Sequence, residues 1–209
     1  MKTFKQNDFQ NFEQRYRAKF INSLSGVKSA NMIGTYFENK TSSLCIVSSV
    51  FHLGANPALI GFINRPNTVP RHTLDNLKRD KFYTINHVNS EIFKKAHQTS
   101  ARYEFEESEF EKVGLTEEVI EDFKAPFVKE SNVKIGCELD EIIDLSNGTH
   151  FVIGKIVQVS LLEDAIAEDG HVDIESLDSV GVTGLDSYHT IKKLARLSYA
   201  KPDKDLEEL

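Results

Sequence analysis

Cysteine is scarce in this chain of 209 residues: Cys45 and Cys137 are the only two, and they lie far apart in apolar, strand-like settings. That count excludes a disulfide framework and a cysteine-rich metal cluster, and both thiols read as buried and reduced. Long hydrophobic runs are missing as well. No stretch approaches the roughly 20 continuous apolar residues that span a bilayer, and the N-terminal MKTFKQNDFQNFEQRYR lacks the apolar centre of a signal peptide. A soluble, cytoplasmic protein with no membrane association is therefore expected. Basic residues are outnumbered, 25 Lys and Arg against 32 Asp and Glu, for a net charge of -7. Such a field opposes general nucleic-acid binding, which rewards clustered cations. A local basic loop in so acidic a chain points instead to a small anionic ligand.

Several chemical fingerprints are absent too. No G-x-G-x-x-G follows a strand and no G-x-x-x-x-G-K-[ST] occurs, so any nucleotide must be held another way. No G-x-S-x-G elbow surrounds a serine, which argues against a Ser/His/Asp hydrolase. His52, His72, His87, His97 and His150 lie on separate segments without i, i+4 spacing or a C-x-x-C companion, so no metal site is expected. Internal repeats and heptads are also lacking.

What is present suits one domain over residues 1–209, since 40% hydrophobic content can bury a sizeable core. Phe9, Phe12, Tyr16 and Phe20 recur at spacings of three and four, which predicts a helix or packing arm over about residues 1–20. Asn31 to Tyr36 and Ser43 to Phe51 read as a hairpin about Glu38-Asn39-Lys40, and Ala58 to Ile63 and Lys81 to Val88 as further strands. Ser108-Glu-Phe-Glu followed by Gly114 reads as a capping box and stop around a short helix. Thr116 to Phe123, acidic in its first turn and ended by Pro126, predicts another helix. ELDEIIDL and THFVIGKIVQVSL flank Ser146-Asn147-Gly148, and Asn-Gly there predicts a type I′ hairpin. A helical pattern returns over Ser187 to Leu194, and about 203–209 reads as a frayed tail. Many strands with short helical insertions favour an antiparallel barrel over a βαβ sheet.

The richest stretch is Ser48 to Val88. An apolar run ends in Ser48 and Ser49, which supply hydroxyl and amide donors. Arg65, Arg71, His72 and Thr73 then precede a helical pattern at Leu74 and Leu77. A guanidinium fork, an imidazole and a hydroxyl at a helix start suit a phosphate. The same residues also fit a solvated loop with Thr73 as an ordinary N-cap. HQTSARY brings a second polar cluster, with Thr99 and Ser100 beside Arg102, that reads as a turn or a site.

These segments resemble the flavin reductase-like proteins of the FMN-binding split-barrel family. The resemblance lies in KSANMIGT, SSVFHLGANPALIGFINRP, RHTLDNL, YTINHV, HQTSARYEFEESEF, APFVKES and NGTHFVIGKI, taken in order, from about Phe20 to Pro202. It implies a mainly β fold, an antiparallel split β-barrel with short helical insertions. It also implies a homodimer binding FMN near the dimer interface, with NADH or NADPH as electron donor; the acceptor is open among free flavin, a partner protein such as a monooxygenase, a metal chelate and another electron sink. By that resemblance Ser48, Ser49, Val50 and Phe51 meet the isoalloxazine edge, the loop ahead of Pro57 makes a phosphate-side turn, and Arg71 and Thr73 grip the phosphate, with His52, Arg65 and His72 as neighbouring cofactor-binding candidates. Thr99 and Ser100 are further cofactor-side candidates. His150 matches the histidine of the family's Gly-Asp-His motif near the flavin and the nicotinamide, with Thr149 where that motif has aspartate. A nicotinamide contact and plain placement on a barrel strand are both open for His150. Hydride transfer is cofactor chemistry, so no nucleophile is required of the chain.

Overall fold

The hairpin expected near the start of the domain sets the pattern for the rest. In the computed structural model, residues 1–66, 72–104 and 107–209 are described. Helices α1 (Gln6–Asn11) and α2 (Gln14–Ser23) precede β1 (Lys28–Ser29), β2 (Asn31–Tyr36), β3 (Ser42–Val47), β4 (Phe51–Ala55) and β5 (Ala58–Asn64). Next come α3 (His72–Asp80), β6 (Phe82–His87), α4 (Phe93–Gln98), α5 (Glu109–Val113), β7 (Glu117–Glu118) and β8 (Phe127–Val128). The long strands β9 (Val133–Asp144) and β10 (His150–Leu161) follow, then β11 (Val180–Thr183) and β12 (Ser187–Thr190).

Seven strands form one antiparallel sheet in the order β3-β2-β6-β9-β10-β5-β4. Its two edges, β3 and β4, are consecutive in the chain and joined only by Ser48, Ser49 and Val50. Four Cα steps reach at most about 15 Å, whereas a flat seven-stranded sheet holds its edges about 29 Å apart. The sheet must therefore curl until the edges approach. Because β3 and β4 form no ladder with each other, the barrel stays split along that seam.

Alternation along the strands fills the interior with Ile33, Phe62, Tyr83, Ile85, Cys137 and Val152, and Leu74 and Leu77 of α3 close it from one end. A second core of Met32, Leu44, Val88, Ile92, Phe110, Val180 and Val182 fills the space beneath α4 and α5. Side chains also protect the β3 edge. Glu109 Oε2 accepts from Leu44 N at 2.9 Å, Thr99 Oγ1 accepts from Ile46 N at 2.9 Å, and Ser108 Oγ meets Ser42 Oγ at 2.9 Å. At Gly34, backbones approach so closely that a Cβ would lie 2.3 Å from the Pro126 carbonyl oxygen.

The structure corrects several local expectations. Residues 116–123 are not helical: Glu117 and Glu118 pair with Val128 and Phe127, and Glu121 and Asp122 take positive φ angles of 49° and 57°. This lets Phe123 fold over Gly136 and pack on Phe82 and Phe127. Residues 187–190 form a strand because β11 supplies a partner across the Gly184 turn, where φ is +59°. The capping box at Ser108 does not form, since its hydroxyl turns to Ser42, but Gly114 does stop α5 in the left-handed conformation. The first hairpin ends at Val47, so Phe51 belongs to β4. Only Gly148 has positive φ in the Asn-Gly turn, and its amide donates to the Leu145 carbonyl. The loop is therefore a type I turn with a glycine bulge, not type I′. The C-terminal residues fold back as a loose ribbon, with Leu197 opposite Glu208 and Lys201 opposite Lys204. At the other end, Phe4, Phe9, Phe12, Tyr16 and Phe20 pack edge-on or stacked against one another in a helical arm that has no fully buried residue.

His87, with Nδ1 2.9 Å from Ser179 Oγ, is half-buried at the end of β6, and the loss of solvent around its ring pushes its imidazole down to about 4. An unfolded histidine binds its proton near pH 6.5, so between about pH 6.5 and 4 the unfolded chain takes up a proton that the folded chain refuses. Stability is thus expected to fall as pH drops through that window, by up to about 3 kcal/mol from this group. Urea unfolding at pH 7.5, 6, 5 and 4.5 checks this, and His87→Gln should flatten the slope across that window whatever its effect on the baseline.

Candidate functional site

The three residues that bridge the split are half-buried and carry the least conventional hydrogen bonding in the barrel. Among the described residues, the backbone amides of Ser48, Ser49 and Val50 donate to no backbone or side-chain acceptor. Three consecutive free N–H groups in a sheltered corner are costly unless water or a ligand accepts from them. The corner is also held in place. Ser49 Oγ accepts from Ile63 N at 3.0 Å and donates to Ile63 O at 3.2 Å, tying the seam to β5, while Val50 packs against the barrel core.

Strand β5 carries that position to the later motif. Ile63 pairs with Phe151 and Asn64 with His150, and the Gly148 turn lies against Pro66, 3.6 Å from an ideal Cβ. Residues that pair across strands share a face, and side chains two apart along a strand share it as well. Asn64, His150 and Asp144 therefore continue the inward face of Phe62, Val152 and Ile142, at the barrel end. The opposite face carries Phe51 stacked on Phe151, with ring centroids 5.3 Å apart. They meet over Gly61, where a Cβ would lie 2.4 Å from the Phe151 ring.

The predicted site residues divide into three groups. Ser48, Ser49, Val50, Arg65 and His150 lie around the seam and the end of β5, with Phe51 next to the seam on the opposite face of the sheet. Arg65 is exposed and its guanidinium has no acceptor among the described residues, while His52 is exposed on β4. A second group has its side chains bonded to other groups of the protein. Thr73 Oγ1 lies 3.3 Å from Cys45 Sγ, Thr99 Oγ1 donates to Ala96 O at 2.7 Å while accepting from Ile46, and Ser100 Oγ donates to His97 O at 2.7 Å. Thr73 and Thr99 thus brace β3 just before the seam, and His72 opens α3 beside the Phe37 ring, 5.4 Å away. Arg71 lies outside the described residues. A cavity of about 390 Å³ opens elsewhere, between residues 164–173 and the C-terminal ribbon, and contains none of these groups.

One residue of the cluster was not anticipated. Asp144 Oδ1 lies 2.6 Å from His150 Nδ1, across the hairpin. The Asn-Gly turn itself was the available signal, because residues three or four to either side of its centre must face one another.

Comparison with known proteins follows the same architecture. A family model described as a flavin reductase like domain matches residues 25–175. A solved split-barrel protein of flavin reductase type from Shewanella frigidimarina is 53% identical, with a TM-score of 0.92, covering 96% of this chain and 100% of that one. Nitrilotriacetate monooxygenase component B from Bacillus cereus shares the fold at 19% identity, TM-score 0.83, covering 94% of this chain and 98% of that one. Flavoredoxin of Desulfovibrio vulgaris does so at 21% identity, TM-score 0.69, covering 85% and 92%. Among curated sequences, an uncharacterised protein of Aquifex aeolicus is 29% identical over 126 residues, 60% of this chain and 64% of that relative's length.

Because Ser49 satisfies both backbone groups of Ile63, Ser49→Ala should leave them unpaired and lower stability by about 1–3 kcal/mol. The midpoint of urea unfolding reads this directly, and an unchanged midpoint would show that the seam is held by other contacts.

Proposed function

We propose, on the premise that the chain belongs to the flavin reductase-like domain family, that this flavin-related oxidoreductase binds FMN at the barrel split and takes hydride from NADH or NADPH. The observation that carries the reading is the run of three amides at Ser48, Ser49 and Val50 that have no acceptor among the described residues, fixed to β5 through the Ser49 hydroxyl. An acceptor-rich planar edge is the ligand such a run suits, since converging N–H groups hold and stabilise negative charge there. The flavin, when bound, supplies two-electron chemistry, and the chain supplies position and electrostatics. Its residues take the following roles in this reading. Ser48 to Val50 hold the ring edge, Phe51 and His52 flank it, and Arg65, Arg71, His72 and the α3 start face the phosphate. Thr73 and Thr99 keep β3 rigid behind them, and His150 helps to place the nicotinamide.

A second copy of this chain is the expected cover for the exposed apolar edge strand β4, where Phe51 is 41% and Leu53 38% exposed. The homodimer of this reading would therefore lie close to the site. Free flavin and a protein partner are the two classes of electron acceptor that this reading admits. One departure favours a second reading, a flavin-binding electron carrier without a productive nicotinamide site: Thr149 stands where the motif has aspartate.

Anaerobic stopped-flow mixing of the FMN-loaded protein with NADH or NADPH separates the two readings. Rapid loss of flavin absorbance is the expected outcome, and its absence with both donors would leave the carrier. Arg71→Ala should weaken FMN binding by about 1.5–3 kcal/mol through loss of a charged hydrogen bond to phosphate. Fluorescence titration measures it, and unchanged affinity would move the phosphate elsewhere.

A further inference from the structure

His150 is the first residue of β10 and sits in the hairpin register directly opposite Asp144, the last residue of β9. The imidazole is mostly sheltered, its side chain 17% exposed, whereas the carboxylate is 83% exposed. Nδ1 lies 2.6 Å from Asp144 Oδ1, and Nε2 has no partner among the described residues. Thr149, the residue before His150, has no carboxylate, and its hydroxyl donates to Asn147 Oδ1 at 2.7 Å.

We infer that Asp144 is a positioning residue for His150, supplying from across the hairpin the carboxylate that Thr149 lacks. A carboxylate accepts only, so the proton of the neutral ring is drawn to Nδ1 and Nε2 becomes an acceptor. The same contact fixes the ring about its χ angles, as carboxylate partners do for functional histidines elsewhere. An Nε2 acceptor at the barrel end selects a ligand that offers an N–H, which the carboxamide of a nicotinamide does. Asp144 itself faces water and acts only through His150. This inference rests on the proposed nicotinamide-dependent function.

Asp144→Ala and Asp144→Asn test it with two readouts. In ¹⁵N–¹H spectra of the imidazole, the wild-type His150 is expected in its Nδ1–H form. Ala should shift it toward the Nε2–H form, and Asn, whose amide oxygen can still accept, should largely preserve it. In steady-state kinetics, Ala should raise KM for the nicotinamide about tenfold, the effect of one lost hydrogen bond, with kcat changed less, and Asn should recover most of that loss. Because the aspartate is exposed, both variants should keep the wild-type fold. Unchanged ring signals in the Ala variant, or a tautomer shift with no change in KM, would overturn the inference. Failure of the wild-type protein itself to oxidise NADH or NADPH would instead overturn the function on which it rests, and is seen before any variant is made.

Discussion

Strand β10 is hydrogen-bonded along both sides, to β9 and to β5, and the site depends on that double registration. Pairing with β5 runs unbroken from Lys155 opposite Leu59 to His150 opposite Asn64. Pairing with β9 absorbs two bulges yet brings His150 opposite Asp144. A slip of one residue in either ladder would turn His150 to the other face and bring Phe151 inward. Gly154 shows how tightly the register is enforced, because a Cβ there would lie 2.1 Å from the buried Tyr83 hydroxyl.

From that ribbon the remaining arrangement follows by short connections. Ile63 and Asn64 inherit their places from β10, Ser49 is tied to Ile63, and the three-residue link between the sheet edges is thereby set at the end of β5. The link is too short to let the sheet lie flat, so one constraint both curls the barrel and leaves a seam. Among the described residues, those in the seam pair with no neighbouring strand, and in the proposed function their amides are the groups offered to the ligand. The Ser49 side chain holds the fold, while its backbone N–H is left without an acceptor among the described residues.

Much of this was legible in the chain wherever the signal was local. Asn39 and Lys40 mark the first turn, Asn147 and Gly148 the second, and Gly114 a helix stop. Each depends on backbone preferences that neighbours seldom override. The misread segments are those whose conformation is decided from outside. Residues 116–123 have a helix-like acidic start, but Phe123 gains more by covering Gly136 and packing on Phe82 and Phe127. Residues 187–190 become a strand only because β11 waits beside them. Residue types left Thr73, Thr99 and Ser49 open between ligand donors and local partners of the turn, cap or barrel edge, and their hydroxyls do bond within the protein, since a hydroxyl near a strand edge has backbone and side-chain partners at hand.

The central claim is that the backbone amides of the seam receive the flavin. It is tested most directly by following the amide resonances of Ser48, Ser49 and Val50 in ¹⁵N-labelled protein as FMN is added. The account predicts that these three show the largest shifts and gain protection from solvent exchange together, with saturation at the affinity measured for FMN. Saturable FMN binding that leaves these amides unmoved and freely exchanging would contradict it.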